Sequence, residues 1–193
     1  MRSYPAFFFI ILFSQAVSSD SFEYNSYNNH GVVGLVNMPT ARFYDESSHG
    51  ITFYDGTPDQ KITMTSNPYD WLEASFFYTN IQGRRYPGSG FTQDYKDKGF
   101  NIKFNFSPKK FERMVFGIGL DDFAGTGFFS REYLVSTINL NHLKFTTGIG
   151  WGKYTGENSF QNPLKFLSNS IINRPSISSN YDEGGKISSD IWF

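Results

Sequence analysis

Apolar and polar residues alternate most clearly on either side of a glycine-rich connection near the middle of the chain. From Met114 to Asp121, large apolar side chains alternate with small or acidic ones, and this period of two predicts a β-strand. A second alternating segment runs from Tyr133 to Leu140. Gly125 and Gly127 in the connection supply the positive φ angles that a hairpin loop needs. We therefore predict an antiparallel hairpin with one apolar face and one polar or glycine face.

The same two-faced pattern recurs along the chain and predicts an all-β fold. The further predicted strands are His49–Tyr54, Lys61–Ser66, Trp71–Ile81, Phe100–Phe106 and Phe145–Gly152. A turn is predicted at Asn67–Asp70, where proline follows asparagine. The apolar faces must either be buried in a protein core or face lipid. We predict an antiparallel meander of about eight or nine strands, as an outer-membrane-type β-barrel or part of a larger barrel.

The connections between the predicted strands differ in length. Gln82–Lys98 is long, polar and contains several glycines, whereas Ser107–Lys110 and Asn141–His142 are short. Long loops on one side and short turns on the other are typical of outer-membrane barrels. The polar stretch Tyr154–Lys186 is too long for a routine connection. We expect it to form a lumen or surface loop, or to be partly disordered.

Composition is compatible with two classes of β-protein. The chain has 22 Phe, 12 Tyr and 3 Trp, yet its mean hydropathy is −0.40. Transmembrane barrels combine these properties, because half of each strand faces a polar lumen and aromatic rings line the membrane interfaces. A soluble β-sandwich also alternates and also uses aromatic residues, so composition leaves both alternatives open. The formal net charge of −1 provides no field for nucleic acid, which we do not expect as a partner.

The sequence offers little catalytic or metal-binding chemistry. It contains no cysteine, which excludes disulfides, thiolate metal sites, a cysteine nucleophile and the acylated cysteine of a bacterial lipoprotein. Its three histidines have no metal-ligand spacing. Asp121 and Asp122 are adjacent, so in a strand they would point to opposite faces, and turn-forming aspartates are the better interpretation. We therefore predict no enzymatic activity, no cofactor and no metal site.

The first 19 residues have the order of a secretory signal peptide. Arg2 precedes the apolar run Phe7–Phe13, and small residues follow at Ala16 and Ser18. The run is far shorter than the ~20 apolar residues of a membrane-spanning helix. We therefore expect an exported protein with three parts: a signal peptide at 1–19, a flexible lead-in at 20–30 and a β-barrel domain at 31–193 that need not be complete.

The predicted loop Gln82–Lys98 carries the candidate binding residues. It combines cationic side chains with aromatic rings, namely Arg84, Arg85, Tyr86, Tyr95, Lys96 and Lys98. Such a mixture can contact an anionic sugar polymer through charge-assisted hydrogen bonds and ring stacking. The alternative is a solvated surface loop, or a loop that contacts lipid head groups.

Seven ordered blocks resemble the YjbH-like family of outer-membrane β-barrel proteins. The blocks are Gly34–Arg42, Asn67–Glu73, Tyr95–Phe100, Asp122–Tyr133, Gly148–Gly152, Asn162–Pro163 and Trp192–Phe193. The resemblance implies a location in the outer membrane of a Gram-negative bacterium and a part in exopolysaccharide or capsule production or export. It implies no enzymatic activity. The partners it implies are outer-membrane lipid, exopolysaccharide and other envelope export proteins.

Two departures from the family pattern shape the functional expectation. Family members are longer, so we expect this chain to be truncated or fragmentary, and an open set of strands would need partner strands from another chain. Many members carry a lipoprotein signal, which requires a cysteine. The expected function is that of a passive polar conduit or an assembly factor in exopolysaccharide export. The alternative is a secreted soluble β-sandwich that binds glycans.

Overall fold

The computed structural model describes most of the chain between residues 25 and 167. The described ranges are 25–57, 59–85, 92–111, 113–125, 127, 129–140, 143–152 and 161–167. The predicted signal peptide (1–19), residues 20–24 of the predicted lead-in, Tyr86, most of the polar stretch Tyr154–Lys186 and the final block Trp192–Phe193 lie outside these ranges.

Nine antiparallel strands make up the described fold. A two-residue hairpin is formed by β1 (Gly34–Leu35) and β2 (Met38–Pro39). The main sheet contains β3 (Ser48–Asp55), β4 (Asp59–Tyr69), β5 (Leu72–Arg85), β6 (Asp94–Phe106), β7 (Met114–Gly125), β8 (Arg131–Leu140) and β9 (Leu143–Gly152). These seven strands lie side by side in sequence order. The predicted all-β antiparallel meander is therefore confirmed.

Helical structure contributes little to the described residues. It is a four-residue 3-10 turn, Pro163–Phe166, in which the Asn162 side chain accepts a hydrogen bond from the Leu164 N–H. In the described ranges no helix has the length and apolar character needed to cross a membrane.

The predicted turn at Asn67–Asp70 was wrong. Strand β4 continues through Pro68 to Tyr69, and the chain reverses at Asp70 and Trp71. The register between β4 and β5 shifts between Ser66 and Tyr69. Proline has no N–H to donate, so it is tolerated in a strand at such an irregularity.

The long loop predicted at Gln82–Lys98 was also wrong in its bounds. Strand β5 extends to Arg85 and β6 begins at Asp94, so the connection comprises residues 86–93. Arg85 and Asp94 are register partners beyond a second irregularity that begins after Ile81. Both strands are polar at this end, which hides the period of two from a reading of sequence alone.

The two adjacent aspartates of β7 do not point to opposite faces. A register shift between Phe100 and Asn101 places a bulge in the pairing of β6 with β7, and Asp122 has a φ of 52°. Asp121 and Asp122 are both buried, and both line one small cavity. The prediction of opposite faces was wrong, because a bulge resets the alternation of side chains.

The two faces of the main sheet differ in chemistry and burial. Buried side chains of β4–β8 define its inner face and include Lys61, Thr63, Glu73, Ser75, Asp97, Lys103 and Thr137. The opposite, outer face carries exposed apolar side chains, among them Met64, Phe76, Phe100, Phe104 and Ile149. A water-soluble sheet has the reverse arrangement, since burial of apolar surface drives its folding.

Glycines of the inner face lie opposite its few large side chains. The register pairs Phe77 with Gly99, Tyr133 with Gly119 and Gly150, and Val135 with Gly117 and Gly148. A methyl group added at Gly119 would collide with the Tyr133 ring. The bare face predicted for β7 therefore makes room for rings from the neighbouring strands.

Residues 25–44, here called the inner segment, pack against the inner face. The segment contains the β1–β2 hairpin, and its Val32, Val33 and Ala41 are almost completely buried. Ala41 packs with Tyr133 and Val135 of β8. Residues 25–30 of the predicted lead-in belong to this segment. Among the described residues, the inner segment covers the polar face.

Candidate functional site

A buried ion pair holds the inner segment against the sheet. Glu73 of β5 and Lys103 of β6 are directly opposite in the strand register. Their Oε1 and Nζ atoms lie 2.9 Å apart, and both side chains are fully buried. Charges without water are stable only when they are paired and hydrogen-bonded. The backbone of the inner segment supplies further hydrogen bonds to Glu73 Oε1 and Lys103 Nζ.

Both members of this pair bind the inner segment through its main chain. The backbone N–H of Val33 donates to Glu73 Oε1 at 3.1 Å. Lys103 Nζ donates to the carbonyl oxygens of Val33 and Arg42, each at 3.1 Å. The Lys103 ammonium also lies 4.8 Å from the centre of the Phe43 ring. One ion pair therefore fixes two separate stretches of the segment.

Neutral side chains of the inner face make further bonds to the same main chain. Thr65 Oγ1 donates to the Gly31 carbonyl, and Thr137 Oγ1 accepts from the Ala41 N–H at 3.1 Å. Asn101 Nδ2 donates to the His30 carbonyl at 3.4 Å. These contacts come from β4, β6 and β8. All three hydrogen bonds are made to the backbone of the segment and not to its side chains.

A second group of charges lies further along the inner face. Asp121 and Arg131 are register partners on β7 and β8, and Asp121 Oδ2 lies 2.7 Å from Arg131 Nε. Lys61 of β4 lies 3.6 Å from Asp59. Its ammonium sits near the rings of Phe77 and Phe129, at 5.1 and 4.5 Å from their centres. The described cations of the inner face are thus compensated by acids or rings.

His30 of the inner segment faces these cations. Its Nδ1 lies 3.3 Å from Lys61 Nζ, so the neutral ring can accept a hydrogen bond from the ammonium. Burial, followed by the positive charges of Arg131 and Lys61, lowers the pKa of His30 from 6.5 to about 2. Burial likewise raises the pKa of Tyr27 to about 12, with Tyr44 and Glu73 adding to the effect. Both groups are neutral at physiological pH.

Aromatic rings cluster on the outer face near one end of the strands. Trp71, in the turn between β4 and β5, stacks on Tyr69 at 5.3 Å and on Phe104 at 6.1 Å. Phe106 and Phe116 stack at 5.5 Å between β6 and β7. Trp71 is exposed. Trp151, in contrast, is buried.

The candidate polysaccharide-contacting residues do not form one loop. Arg84 and Arg85 end β5, Tyr86 lies outside the described residues, and the others belong to β6. Tyr95 is buried on the inner face, with 2% of its surface exposed. Lys96 has the opposite orientation along the strand and donates to Asn80 Oδ1 at 2.7 Å. Lys98 shares that orientation and is exposed. Their contact with a polysaccharide stays a prediction.

Sequence reasoning missed the residues that bind the inner segment. Strict alternation placed Lys103 on the polar face of its strand, and Glu73 was placed on the polar face of β5. Nothing in the sequence indicated that the two are opposite each other, because register depends on the tertiary fold. The run Gly31–Arg42 gave a partial signal, since it is apolar but interrupted by Pro39.

Metal binding has no support in the described residues. They contain no group of three or more histidine, aspartate or glutamate side chains arranged to hold a metal ion. The small cavity between His30, Lys61, Asp121 and Arg131 is lined by paired charges. The chemistry of this site is hydrogen bonding to a polar chain.

The fold and this site define an all-β protein with a polar, charged inner face. The YjbH family, described as "Exopolysaccharide biosynthesis protein YbjH", matches residues 26–193. The chain belongs to this family, and the resemblance inferred from the seven sequence blocks is confirmed.

One curated relative shows the extent of the similarity. A protein of Escherichia coli (strain K12) named "Uncharacterized lipoprotein YjbH" is 31% identical over 166 residues, which cover 84% of this chain. The aligned part is 23% of that relative, so the chain spans about a quarter of its length. No solved structure matches the chain significantly.

Proposed function

We propose that this chain forms part of an outer-membrane β-barrel that contributes to exopolysaccharide production or export. In this proposal lipid contacts the outer face of the sheet, and the polar inner face serves as a passive conduit or as an assembly surface. No chemical step is required of the chain. Outer-membrane lipid, exopolysaccharide and other envelope export proteins are the proposed partners.

The observation that carries the proposal is the inverted distribution of side chains. Lys103, Glu73 and Asp97 are buried on the inner face, whereas Phe100, Phe104 and other large apolar residues are exposed on the outer face. Soluble proteins rarely expose a contiguous apolar surface across a whole sheet. Transmembrane barrels need this arrangement, because their outer face meets hydrocarbon and their interior holds polar groups.

Strand length and aromatic placement support the same interpretation. A tilted strand crosses the hydrocarbon layer in ~9–11 residues, and β4–β9 contain 11, 14, 13, 12, 10 and 10 residues. The stacked rings of Tyr69, Trp71 and Phe104 lie near one end of the strands, as in an interfacial girdle. Lys96 lies nearer the other end of β6, where a cation suits lipid head groups.

The sheet edges set a further requirement. Strands β3 and β9 are its outermost members and are not paired with each other in the described ranges. An unpaired edge in lipid leaves main-chain N–H and C=O groups without partners, at a cost of several kcal/mol each. We therefore propose that strands additional to the described ones complete the barrel.

The family description is the reason why the proposal names exopolysaccharide. Its description refers to exopolysaccharide biosynthesis, and the relative from E. coli is named a lipoprotein, which suggests an exported, envelope-associated protein. The predicted signal peptide at 1–19 agrees with export. Within that setting, a polar inner face can guide a hydrated polymer without binding it tightly.

The soluble sandwich considered from sequence has less support. A β-sandwich buries the apolar faces of two sheets against each other. The apolar faces of β4–β9 are instead exposed in the described fold, and the packed face is polar. A glycan-binding sandwich therefore leaves the outer face unexplained.

Membrane fractionation and heat modifiability test the proposal. The chain is expressed with its native leader in a Gram-negative host, and membranes are washed with alkaline carbonate and extracted with detergent. We expect the protein in the outer-membrane fraction, with faster gel migration of unheated than of boiled samples, because a folded barrel resists SDS. A folded protein recovered in the soluble periplasmic fraction, with a single mobility, would contradict membrane insertion.

A further inference from the structure

We infer that residues 161–167, here called the clasp, anchor one corner of the main sheet in the lipid interface. In this inference Phe166 and Leu167 enter the acyl chains, and Lys165 faces the lipid phosphates. The inference rests on the proposed function and names an element outside the strands that contacts lipid.

The clasp lies over a carboxylate of the outer face. Glu132 of β8 pairs with Leu120 of β7 and Trp151 of β9 without a register shift. Because side chains alternate along a strand, Glu132 shares the outer face with Leu134. Glu132 and Trp151 are nevertheless only 1% and 3% exposed, whereas Ile149 on the same face is 50% exposed. Protein therefore covers this corner of the outer face.

Asn162 joins the clasp to this corner. Its Nδ2 donates to Glu132 Oε2 at 2.8 Å, and its Oδ1 accepts from the Leu164 N–H at 2.9 Å. Asn162 is itself buried. A carboxylate that faced hydrocarbon would be costly. The clasp therefore shields Glu132 from lipid and is held in place by it.

The other side of the clasp is amphipathic. Phe166 and Leu167 are 77% and 57% exposed, and the neighbouring Lys165 is exposed as well. Lys165 Nζ donates to Gln161 Oε1 at 2.9 Å, which leaves further ammonium protons for a phosphate. Large apolar side chains next to a lysine suit the membrane interface, where the cation reaches the head groups.

The position of the clasp along the strands agrees with an interface. Glu132 is the second residue of β8 and Trp151 the second-last of β9, so the contact lies at one end of the sheet. The stacked rings around Trp71 lie at the opposite end, where β4 finishes and β5 begins. One such element at each end corresponds to the two interfaces of a membrane.

A label at Phe166 reports what surrounds the clasp. The chain has no cysteine, so F166C carries a single NBD group in vesicles of phosphatidylcholine and phosphatidylglycerol. We expect brominated lipid to quench F166C at least about threefold more than K110C, a control in the β6–β7 connection, and aqueous iodide to quench it less. Equal responses of the two positions would overturn the inference. Protection of F166C from both quenchers would also overturn it, since it indicates a protein partner.

Two substitutions test how the clasp is held. N162D keeps the acceptor for the Leu164 N–H but places a second carboxylate against Glu132. E132Q/N162D restores one donor and one acceptor in the reverse direction at the original net charge. We expect lipid quenching of F166C to fall at least about twofold with N162D and to recover with E132Q/N162D. Unchanged quenching with N162D, or no recovery in the double variant, would refute this attachment.

A charge reversal tests the contact with lipid phosphate. In vesicles that contain phosphatidylglycerol, K165E should lower the lipid quenching of F166C, because anionic head groups repel the new carboxylate. In vesicles of phosphatidylcholine alone the same substitution should have a smaller effect. Equal effects in the two kinds of vesicle would rule out the contact between Lys165 and anionic head groups.

Heat modifiability separates this inference from the proposed function. If labelled F166C is detergent-extracted and heat-modifiable but its label is quenched mainly by iodide, the anchor fails while membrane insertion stands. If the chain stays in the soluble fraction with a single mobility, the proposed function fails and the anchor fails with it.

Discussion

At the scale of single residues, several large side chains of the inner face lie opposite glycine in the strand register. Tyr133 lies between Gly119 of β7 and Gly150 of β9 in the strand register. The sequence shows glycines on one face of β7 and β9, and their lack of a side chain leaves room for a neighbouring ring. Which ring occupies that room could not be predicted, because it depends on how strands align.

Gly119→Ala should destabilise the fold through a direct collision with the Tyr133 ring. We expect a loss of roughly 1–3 kcal/mol in unfolding free energy, the usual cost of overpacking. In the Tyr133→Ala background the same substitution should cost less than about 0.5 kcal/mol, because the ring is gone. Urea unfolding in detergent micelles measures the four proteins of this cycle. Equal costs in both backgrounds would rule out the contact.

His30 should make stability depend on acidity. Its pKa falls from 6.5 to about 2 on folding, so the unfolded chain binds more protons between these values. The resulting stability is complete above pH 6.5 and declines as pH falls below it, by at most about 1.4 kcal/mol per pH unit. His30→Gln keeps an acceptor for Lys61 but does not titrate.

Unfolding free energies of the wild type and His30→Gln should therefore be compared between pH 7 and pH 4. We expect the wild type to lose stability relative to the variant as pH falls, since other titrating groups are common to both. If the difference in unfolding free energy between the two proteins stays constant across this range, His30 has the same pKa in the folded and unfolded states.

At the scale of elements, the period of two predicted the faces of the strands well. The outer positions Phe100, Ile102 and Phe104 of β6 alternate with the buried Asn101 and Lys103, as expected. Strand ends were predicted less well. Pro68 lies inside β4, and the polar ends of β5 and β6 pair beyond the region of clear alternation. Local sequence cannot reveal pairing that is stabilised by the neighbouring strand.

The inner segment was the main element that sequence reasoning did not place. Its two-residue strands are too short to give a period, and its contacts are made by main-chain atoms. Contacts through the backbone leave almost no compositional trace. The adjacent aspartates Asp121 and Asp122 were misplaced for a related reason, since a bulge is set by pairing and not by residue type.

A pair of matched substitutions on β6 tests whether the outer face meets lipid. Phe100 lies at the centre of the strand and Phe106 at its end, and their exposed fractions are similar, 48% and 50%. In a bilayer, Phe100→Lys should cost about 2–4 kcal/mol and Phe106→Lys about 0–1 kcal/mol. In water, both substitutions of an exposed phenylalanine should have the same small effect.

Unfolding of the two variants in lipid vesicles, followed by tryptophan fluorescence, provides the measurement. The depth dependence is the decisive quantity, because it separates a bilayer from any uniform solvent. Similar costs for Phe100→Lys and Phe106→Lys would argue against a central position of Phe100 in hydrocarbon.

At the scale of the whole molecule, the two faces of the main sheet make different kinds of contact. Ion pairs, hydroxyl groups and the inner segment fill one side, and apolar side chains cover the other. Sequence alone left a soluble sandwich and a membrane barrel open, because both alternate. The location of the buried charges supports the barrel that we propose, and the family to which the chain belongs is described by exopolysaccharide biosynthesis.

Site-directed spin labelling along β6 tests this organisation most directly. The chain has no native cysteine, so a single cysteine at Phe100, Asn101, Ile102, Phe104 or Asn105 carries the only label. Collision rates with oxygen, which concentrates in hydrocarbon, and with a polar nickel chelate, which stays in water, are measured in lipid vesicles. We predict high oxygen and low nickel accessibility at Phe100, Ile102 and Phe104, and low oxygen accessibility at Asn101 and Asn105. Outer positions that collide with the nickel chelate more than with oxygen would contradict the account.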